Sequence, residues 1–232
     1  MSGPVVRLGV VTSTQAVAFE LAARGAGDRT VVVADHQTAG RGRQGRRWLD
    51  EPGASLLASV VVRPVLPPAR WPLYGFVTAV AVAEALRAVT GLDTRLKWPN
   101  DVLVDGAKIA GILLEARGGD TLVVGFGINV AQREFPPSLV GRATSAALAG
   151  GRVPERGELL GAVLAAFDAW RARLEQEGFE PVRARWSALS DTLGRQVTIG
   201  PAAGRALGLD EDGALLVEDG TLLQRVVAGS LD

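Results

Sequence analysis

Cysteine is absent from this 232-residue sequence, and histidine occurs once, as His36. Without cysteine the chain can form neither a disulfide nor a thiolate metal site. A single histidine argues against a metal site built on several imidazoles and against a Ser-His-Asp triad elsewhere in the chain. The lack of cysteine fits a reducing compartment, so we expect a cytoplasmic protein.

A surplus of one charge is also missing, since 25 Lys and Arg residues balance 25 Asp and Glu residues. Proteins that bind nucleic acids usually carry a basic surplus. The N-terminal stretch MSGPVVRLGVV lacks the long apolar core of a signal peptide. The most apolar segment, residues 74–86, contains Glu84 and is shorter than the roughly 20 apolar residues that span a membrane. We therefore expect no membrane partner and interpret residues 74–86 as part of a buried helix.

Lysine is scarce, because only Lys97 and Lys108 occur and the other 23 of the 25 basic residues are arginine. Where arginine is the ordinary surface cation, a lysine can mark a position that needs a compact ammonium charge. With only two such residues, chance is the alternative explanation. We keep both lysines as candidates for chemistry.

Local signals in the sequence predict an α+β fold. Good N-cap residues at 12–14 open a helix that ends at Gly25. β-Branched runs predict strands, and an Asp105-Gly106 turn joins two of them as a hairpin. Because hairpins join neighbouring strands and helices intervene, we expect a mixed, largely antiparallel sheet backed by helices. Helices are predicted over 12–25, 69–91, 155–178 and 180–190, and strands over 30–37, 55–63, 95–97, 101–104, 107–116 and 121–130.

Two further expectations concern the later part of the chain. The strand over 121–130 contains Gly125 and Gly127, which we expect to break it. After Gly194 the pattern changes to short strands separated by Asp-Gly turns, which predicts a small β-barrel. We place a large domain at 1–188 and a small C-terminal domain at 189–232.

The most unusual stretch is HQTAGRGRQGRRW, residues 36–48, in which four arginines are interleaved with three glycines. It could be a solvated hairpin loop, a nucleic-acid contact or a phosphate-binding loop. Trp48 is its only aromatic residue, whereas single-strand nucleic-acid sites usually offer several stacking platforms. Arginine forks match phosphate oxygens, glycines let the backbone approach a ligand, and no Walker A lysine closes the stretch. These residues predict a loop that becomes ordered over a phosphorylated or carboxylated ligand.

Four stretches, followed by a fifth, together resemble the signatures of biotin protein ligases. In order they are TST at 12–14, HQTAGRGRQGRRW at 36–48, KWPND at 97–101, KIAGIL at 108–113 and GFGINV at 125–130. The resemblance covers nearly the whole chain. It implies a class II synthetase-like biotin ligase fold, with the catalytic domain at 1–188 and an SH3-like β-barrel at 189–232.

The resemblance implies a two-step reaction with biotin, ATP and Mg²⁺. The carboxylate of biotin attacks the α-phosphate of ATP to give biotinyl-5′-adenylate and pyrophosphate. A lysine amine on a biotin carboxyl carrier protein then attacks the adenylate and releases AMP. Cations placed around the α-phosphate would stabilise the charge that develops there.

On the biotin side of the site, the resemblance assigns roles to five residues. Ser13, Thr14 and Gln37 are expected to hydrogen-bond the ureido ring of biotin, while the first two also cap the helix. Trp98 and the strand that carries Gly111 are expected to wall the pocket, because the ring system and alkyl chain of biotin need apolar surface.

The arginine–glycine loop is expected to close over biotin and the adenylate. Gly40 would give the tight backbone entry, and Arg41, Gly42 and Arg43 would cover the ligand and exclude water from a hydrolysable anhydride. Arg43 is also expected to act catalytically on the α-phosphate.

On the nucleotide side, Lys108 is the expected catalytic cation. Asn100 and Asp101 resemble the polar pair of the family, and Asp101 would either support Mg²⁺ or orient the acceptor amine. Lys97 would orient phosphate or pair with an acid. Asn129 is expected to contact adenine.

The sequence leaves several points open. Because TST already begins at residue 12, we expect a single-function ligase without an N-terminal DNA-binding domain and without sequence-specific nucleic-acid binding. The chain ends in VVAGSLD where longer relatives continue with basic residues, so no ligand contact is assigned to that tail. A homodimer is an alternative to a monomer. Two other functions also remain: a lipoate or octanoate ligase or transferase of related fold, and a biotin sensor that does not adenylate.

Overall fold

Two β-sheets organise the chain in a computed structural model that describes residues 3–220, 222–227 and 229. Four helices accompany them in this part of the chain. In chain order the elements are β1 (Val5–Val11), α1 (Thr14–Ala23), β2 (Val31–Gln37), β3 (Ser55–Val62), α2 (Leu73–Thr90), β4 (Thr94–Lys97), β5 (Asp101–Val104), β6 (Ala107–Arg117), β7 (Thr121–Asn129), α3 (Arg156–Glu177), α4 (Glu180–Leu189), β8 (Gln196–Ile199), β9 (Ala202–Leu209), β10 (Leu215–Glu218) and β11 (Leu223–Val226).

The larger sheet has seven strands in the order β1-β2-β3-β7-β6-β5-β4. β1 and β2 pair in parallel, which requires a crossover connection, and α1 supplies it. The other neighbouring strands pair antiparallel, and short turns join β4 through β7 as a meander. The mixed, largely antiparallel sheet predicted from the sequence is therefore confirmed.

Helices cover the two faces of this sheet unequally. α2 and α3 pack on one face and build the main core, and α2 ends where Gly91 adopts the left-handed φ of 78°. Pro68–Thr90 is long and apolar enough to cross a membrane, yet 72% of its apolar window is buried inside the protein. The other face is only partly covered, by a second apolar cluster between α1 and the sheet. The rest of that face carries the candidate site.

Strand β7 corrects the expectation that Gly125 and Gly127 break it. The strand runs unbroken from Thr121 to Asn129 and pairs with β3 on one side and β6 on the other. Since side chains alternate along a strand, both glycines face the same side of the sheet. Their missing side chains leave a hollow on the face that α1 covers only in part.

The smaller sheet has the order β11-β10-β9-β8 with antiparallel neighbours, and its strands fall inside 189–232. Hydrogen bonds tie this region to β4 and to the residue that follows it. Trp98 Nε1 donates to the carbonyl of Gly213 at 3.3 Å, and Asp191 N donates to the carbonyl of Leu96 at 2.8 Å. Residues 228 and 230–232, which make up most of the C-terminal tail VVAGSLD, lie outside the described residues.

Candidate active site

The hollow on the open face of the large sheet has a floor of glycine. Gly111 on β6 and Gly127 on β7 are directly paired. A Cβ at Gly127 would lie 2.6 Å from Cε2 of Trp48, and a Cβ at Gly111 would lie 3.1 Å from Cζ3 of the same ring. The indole therefore rests against both strands where they lack side chains. In the sequence Trp48 is notable only as the aromatic residue of the loop. Its packing against the two glycines depends on the tertiary structure, so local sequence patterns do not predict it.

Polar side chains line one end of the hollow. Gln37 Oε1 accepts from Thr14 N at 2.8 Å and lies 3.1 Å from Thr14 Oγ1. Ser59 Oγ lies 2.8 Å from Thr14 Oγ1 and 2.9 Å from Gln15 Oε1. Ser13 caps α1 by accepting from Gln15 N at 3.3 Å. Gln15 and Ser59 were not predicted as site residues, because in the sequence they look like ordinary residues of a helix and a buried strand.

The arginine–glycine loop is folded over this site. Gly42 N donates to the carbonyl of Arg46 at 2.7 Å, and Trp48 N donates to the carbonyl of Gly40 at 3.0 Å. Residues Arg43–Gly45 form a 3₁₀ turn at the tip. A Cβ at Gly40 would lie 2.7 Å from the carbonyl oxygen of Trp48, so glycine is required where the two arms of the loop meet.

Side chains also hold the base of the loop. His36 Nδ1 and Asp50 Oδ2 are 2.8 Å apart, and the Asp50 side chain is fully buried. Arg47 Nη2 donates to the carbonyl of Thr38 at 2.8 Å. His36, to which the sequence assigned no role, thus helps to join the strand before the loop to the segment after it.

Two loop arginines reach β6 and the turn before β5. Arg41 Nη2 donates to Glu115 Oε2 at 2.6 Å, and Arg43 Nη1 donates to Asn100 Oδ1 at 3.4 Å. Burial lowers the pKa of the Arg43 guanidinium below its ordinary value, against the opposing charge of Asp101. A half-buried guanidinium that is hydrogen-bonded to a neutral amide is well suited to receive an anion.

Both lysines of the chain border the same cavity. Lys108 Nζ lies 2.6 Å from Asp101 Oδ1, with 33% and 27% of the two side chains exposed, and 5.7 Å from the ring centroid of Trp48. Hydrogen bonds of 2.9 Å to the 142–144 segment fix the backbone of Lys108. Lys97, at the end of β4, lines the cavity as well. This shared location supports the chemical explanation for the two lysines over chance.

Asn129, at the end of β7, supplies a further polar wall. Its Nδ2 donates to the carbonyl of Thr144 at 2.9 Å, while its Oδ1 is buried without a hydrogen-bond partner among the described residues. Phe135 and Leu139 line the same cavity. A buried acceptor in a cavity that also has apolar walls suits a flat heterocycle with an amino group.

The cavity has a volume of about 570 Å³, within the usual range for small-molecule sites. Gly40 lies outside its lining, at the neck of the loop. Trp98 borders the cavity, although only 2% of the residue is exposed. The remaining predicted site residues all line it: Ser13, Thr14, Gln37, Arg41, Gly42, Arg43, Asn100, Asp101, Lys108, Gly111 and Asn129.

Comparison with known proteins gives this arrangement a family. A model of the biotin/lipoate A/B protein ligase family matches residues 8–129, which is more than half of the chain. The chain belongs to this family.

Individual members of the ligase family are similar over most of the chain. The bifunctional ligase/repressor BirA of Bacillus subtilis is 34% identical over 233 residues, covering 96% of this chain and 72% of that protein. The biotin–[acetyl-CoA-carboxylase] ligase of Paracoccus denitrificans is 36% identical, covering 88% and 90%. The structure of the biotin protein ligase from Aquifex aeolicus in complex with biotin and ATP superposes with a TM-score of 0.87 at 31% identity, covering 99% and 97%.

Mg²⁺ is also expected at the site, but few side chains there could bind this ion. The described residues contain no cluster of three or more His, Cys, Asp or Glu side chains that could hold a metal ion. Asp101 is the acidic residue that lines the cavity, and it is held by Lys108. Since Mg²⁺ is commonly bound by one or two carboxylates together with substrate phosphates, the site fits an ion that arrives on a polyphosphate.

Proposed function

We propose that this protein is a biotin–protein ligase that activates biotin with ATP and transfers it to a lysine of a carrier domain. One observation carries the proposal. A single cavity joins a polar end of uncharged hydroxyl and amide groups to a cluster of cations formed by Arg43, Lys97 and Lys108. Such a cavity matches a ligand with a neutral polar ring at one end and phosphate at the other. The similar enzyme from Aquifex aeolicus binds biotin and ATP.

In the first step, the site must bring two anions together. Thr14 and Gln37 would hold the ureido ring, with Ser13 at the same helix start. Lys108 and Arg43 would lie against the biotin carboxylate and the α-phosphate, and would stabilise the added charge as the carboxylate oxygen attacks phosphorus and pyrophosphate leaves. Mg²⁺ would neutralise charge on the polyphosphate, near Asp101.

In the second step, the acceptor lysine must attack as a neutral amine. Its nitrogen bonds to the acyl carbon of the adenylate, the bond between that carbon and the phosphate oxygen breaks, AMP leaves with the bonding electrons, and the amine releases one proton to solvent. Asp101, which is paired with Lys108 at 2.6 Å, would be the carboxylate that orients this amine. The folded loop of residues 40–48 would keep water from the anhydride until the acceptor arrives.

Pyrophosphate release from Mg-ATP by the purified protein, with biotin, lipoate, octanoate or no acid added, tests the proposal. Release that depends on biotin is expected, followed by labelling of a biotin carboxyl carrier domain. Release with lipoate or octanoate instead would make the protein a ligase of the sister class. Biotin binding without release under any condition would indicate a sensor.

The family relationship supports acetyl-CoA carboxylase as the source of the acceptor, because relatives carry that enzyme in their names. A cytoplasmic location, a homodimer and the absence of sequence-specific nucleic-acid binding remain predictions of the sequence. Sedimentation at several concentrations, and a salt titration of DNA binding, would test the last two.

A further inference from the structure

Four side chains at the polar end of the cavity form a chain of oxygen contacts that crosses from the helix start into the sheet. The contacts are Gln37 Oε1 to Thr14 Oγ1 at 3.1 Å, Thr14 Oγ1 to Ser59 Oγ at 2.8 Å, and Ser59 Oγ to Gln15 Oε1 at 2.9 Å. Thr14, Gln15 and Ser59 are 4%, 3% and 0% exposed. Bulk water therefore does not set the direction of these hydrogen bonds.

The amide of Gln15 is fixed at the buried end of the chain. Its Nε2 donates to the carbonyls of Leu113 at 3.3 Å and Val123 at 3.1 Å. A flipped amide would place its oxygen against these two carbonyl oxygens. Oε1 must therefore face Ser59, and because an amide oxygen only accepts, the hydroxyl proton of Ser59 is committed to Gln15.

Because Ser59 donates its proton to Gln15, it also determines where the Thr14 hydroxyl donates its own proton. The chain has three oxygen–oxygen contacts but only two hydroxyl protons, so one contact has no proton of its own. Ser59 can only accept from Thr14, and this contact is shorter than the contact between Thr14 and Gln37. Gln37 Oε1 is already held as an acceptor by Thr14 N at 2.8 Å. The contact that lacks a proton is therefore the one between Thr14 Oγ1 and Gln37 Oε1.

We propose that Gln15 and Ser59 are positioning residues that turn the Thr14 hydroxyl proton away from the cavity, so that Thr14 Oγ1 and Gln37 Oε1 form a pair of acceptors. Such a pair binds a ligand that brings its own N–H and repels one that presents an oxygen there. This inference rests on the proposed function and deepens it. A cyclic urea carries the required N–H, whereas the dithiolane of lipoate and the alkyl chain of octanoate carry none.

Ser59→Ala tests this direction, because it frees the Thr14 proton to turn toward Gln37 or the ligand. The probes are biotin and the two cyclic carbamate analogues in which one ureido N–H is replaced by oxygen, measured by calorimetry. For the wild type, we expect one analogue to bind at least about 100-fold more weakly than biotin. That analogue loses a hydrogen bond to the acceptor pair, and its ring oxygen is also repelled by the acceptor oxygen. In Ser59→Ala, biotin should weaken by about 10-fold and the penalty of that analogue should shrink by about 10-fold, because the freed hydroxyl can donate to its oxygen.

Ser55→Ala is the matched control. Ser55 is a buried serine on the same face of β3, its Oγ has no hydrogen-bond partner among the described residues, and it does not line the cavity. Its replacement should leave the ratio of biotin to analogue affinity unchanged. Gln15→Met provides a second route, since loss of Oε1 frees the Ser59 proton and should shrink the same penalty.

The outcomes separate two failures. If the wild type binds biotin and releases pyrophosphate, but Ser59→Ala weakens biotin and both analogues equally, the two residues only support the fold and the inference is wrong. If the wild type shows no biotin-dependent release and no biotin binding, the proposed function itself falls, and the inference with it.

Discussion

Replacing Gly127 with alanine would place a methyl group against the underside of the Trp48 indole. The added Cβ would lie 2.6 Å from Cε2, 2.7 Å from Cζ2 and 3.0 Å from Cδ2 of that ring. Non-bonded carbon atoms settle at about 3.5–4.0 Å, so the ring must rise by about 1 Å. The methyl group has no room to retreat, because β7 is held between β3 and β6.

The cost of this clash falls on the loop rather than on the sheet. Trp48 belongs to the arm of the loop that is joined to Gly40 by a backbone hydrogen bond of 3.0 Å, so lifting the ring strains the closed loop. Overpacking of this kind costs about 1–3 kcal/mol. If the loop relieves the strain by opening, its open population rises by about 5-fold to 150-fold.

Limited trypsin digestion measures that population, because the loop carries Arg41, Arg43, Arg46 and Arg47. At low protease concentration the cleavage rate follows the equilibrium fraction of open loop. We expect Gly127→Ala to release the N-terminal fragment at least about 5-fold faster than the wild type.

Gly9→Ala is the control, since a Cβ at Gly9 meets nothing within 4 Å. Trp48→Ala should also speed cleavage, and adding Gly127→Ala to it should change little, because the clashing ring is gone. If Gly127→Ala is cut no faster than Gly9→Ala, contact with the glycine floor does not hold the loop closed.

Three further substitutions test separate parts of the site and of the fold. Arg43→Gly should let the adenylate escape and label bystander lysines; equal labelling by variant and wild type would remove the closing role of Arg43. Lys108→Arg should keep biotin affinity but slow pyrophosphate release by about 100-fold, as for one lost transition-state contact, and a near-normal rate would contradict the assignment. For Asp210, burial acts to raise the pKa, but hydrogen bonds from Arg225 and two backbone N–H groups lower it overall. Asp210 therefore stabilises the fold fully above its unfolded pKa of about 3.9, and this stabilisation is lost as the pH falls through the lower folded pKa. In urea unfolding, Asp210→Asn should be less stable than the wild type at pH 7, and the difference should shrink toward pH 3.

The charged half of the site was predictable because its residues are unusual in their setting. Two lysines in an arginine-rich chain and four arginines among glycines stand out by composition and spacing alone. The family resemblance then predicted which of them act on phosphate, and the fold brings Arg43, Lys97 and Lys108 to one cavity. The helices, the hairpin pairing of β5 with β6 and the separate C-terminal sheet followed from caps, turn residues and β-branched runs in the same way, whereas β1 and its parallel pairing with β2 were not predicted.

The uncharged half was harder, because its residues have an ordinary structural use. Gln15 is the second residue of α1, directly after the N-cap Ser13 and Thr14, and Ser59 lies in a continuous buried strand, so neither departs from what its element needs. Their importance arises from contacts across 44 positions of sequence, and local sequence patterns do not register such pairs.

Gly125 and Gly127 show how the two halves depend on each other. Glycine in a strand was interpreted as a break, yet a spacing of two puts both residues on one face, and Gly111 on the neighbouring strand extends the bare surface. A Cβ at Gly125 would lie 2.6 Å from Gln15 Oε1, while a Cβ at Gly127 would meet Trp48. The same strand therefore makes room for the amide that directs the polar end and for the indole that seats the arginine loop. A substitution at either glycine should consequently disturb a different step: ligand selection at Gly125, and retention of the adenylate at Gly127.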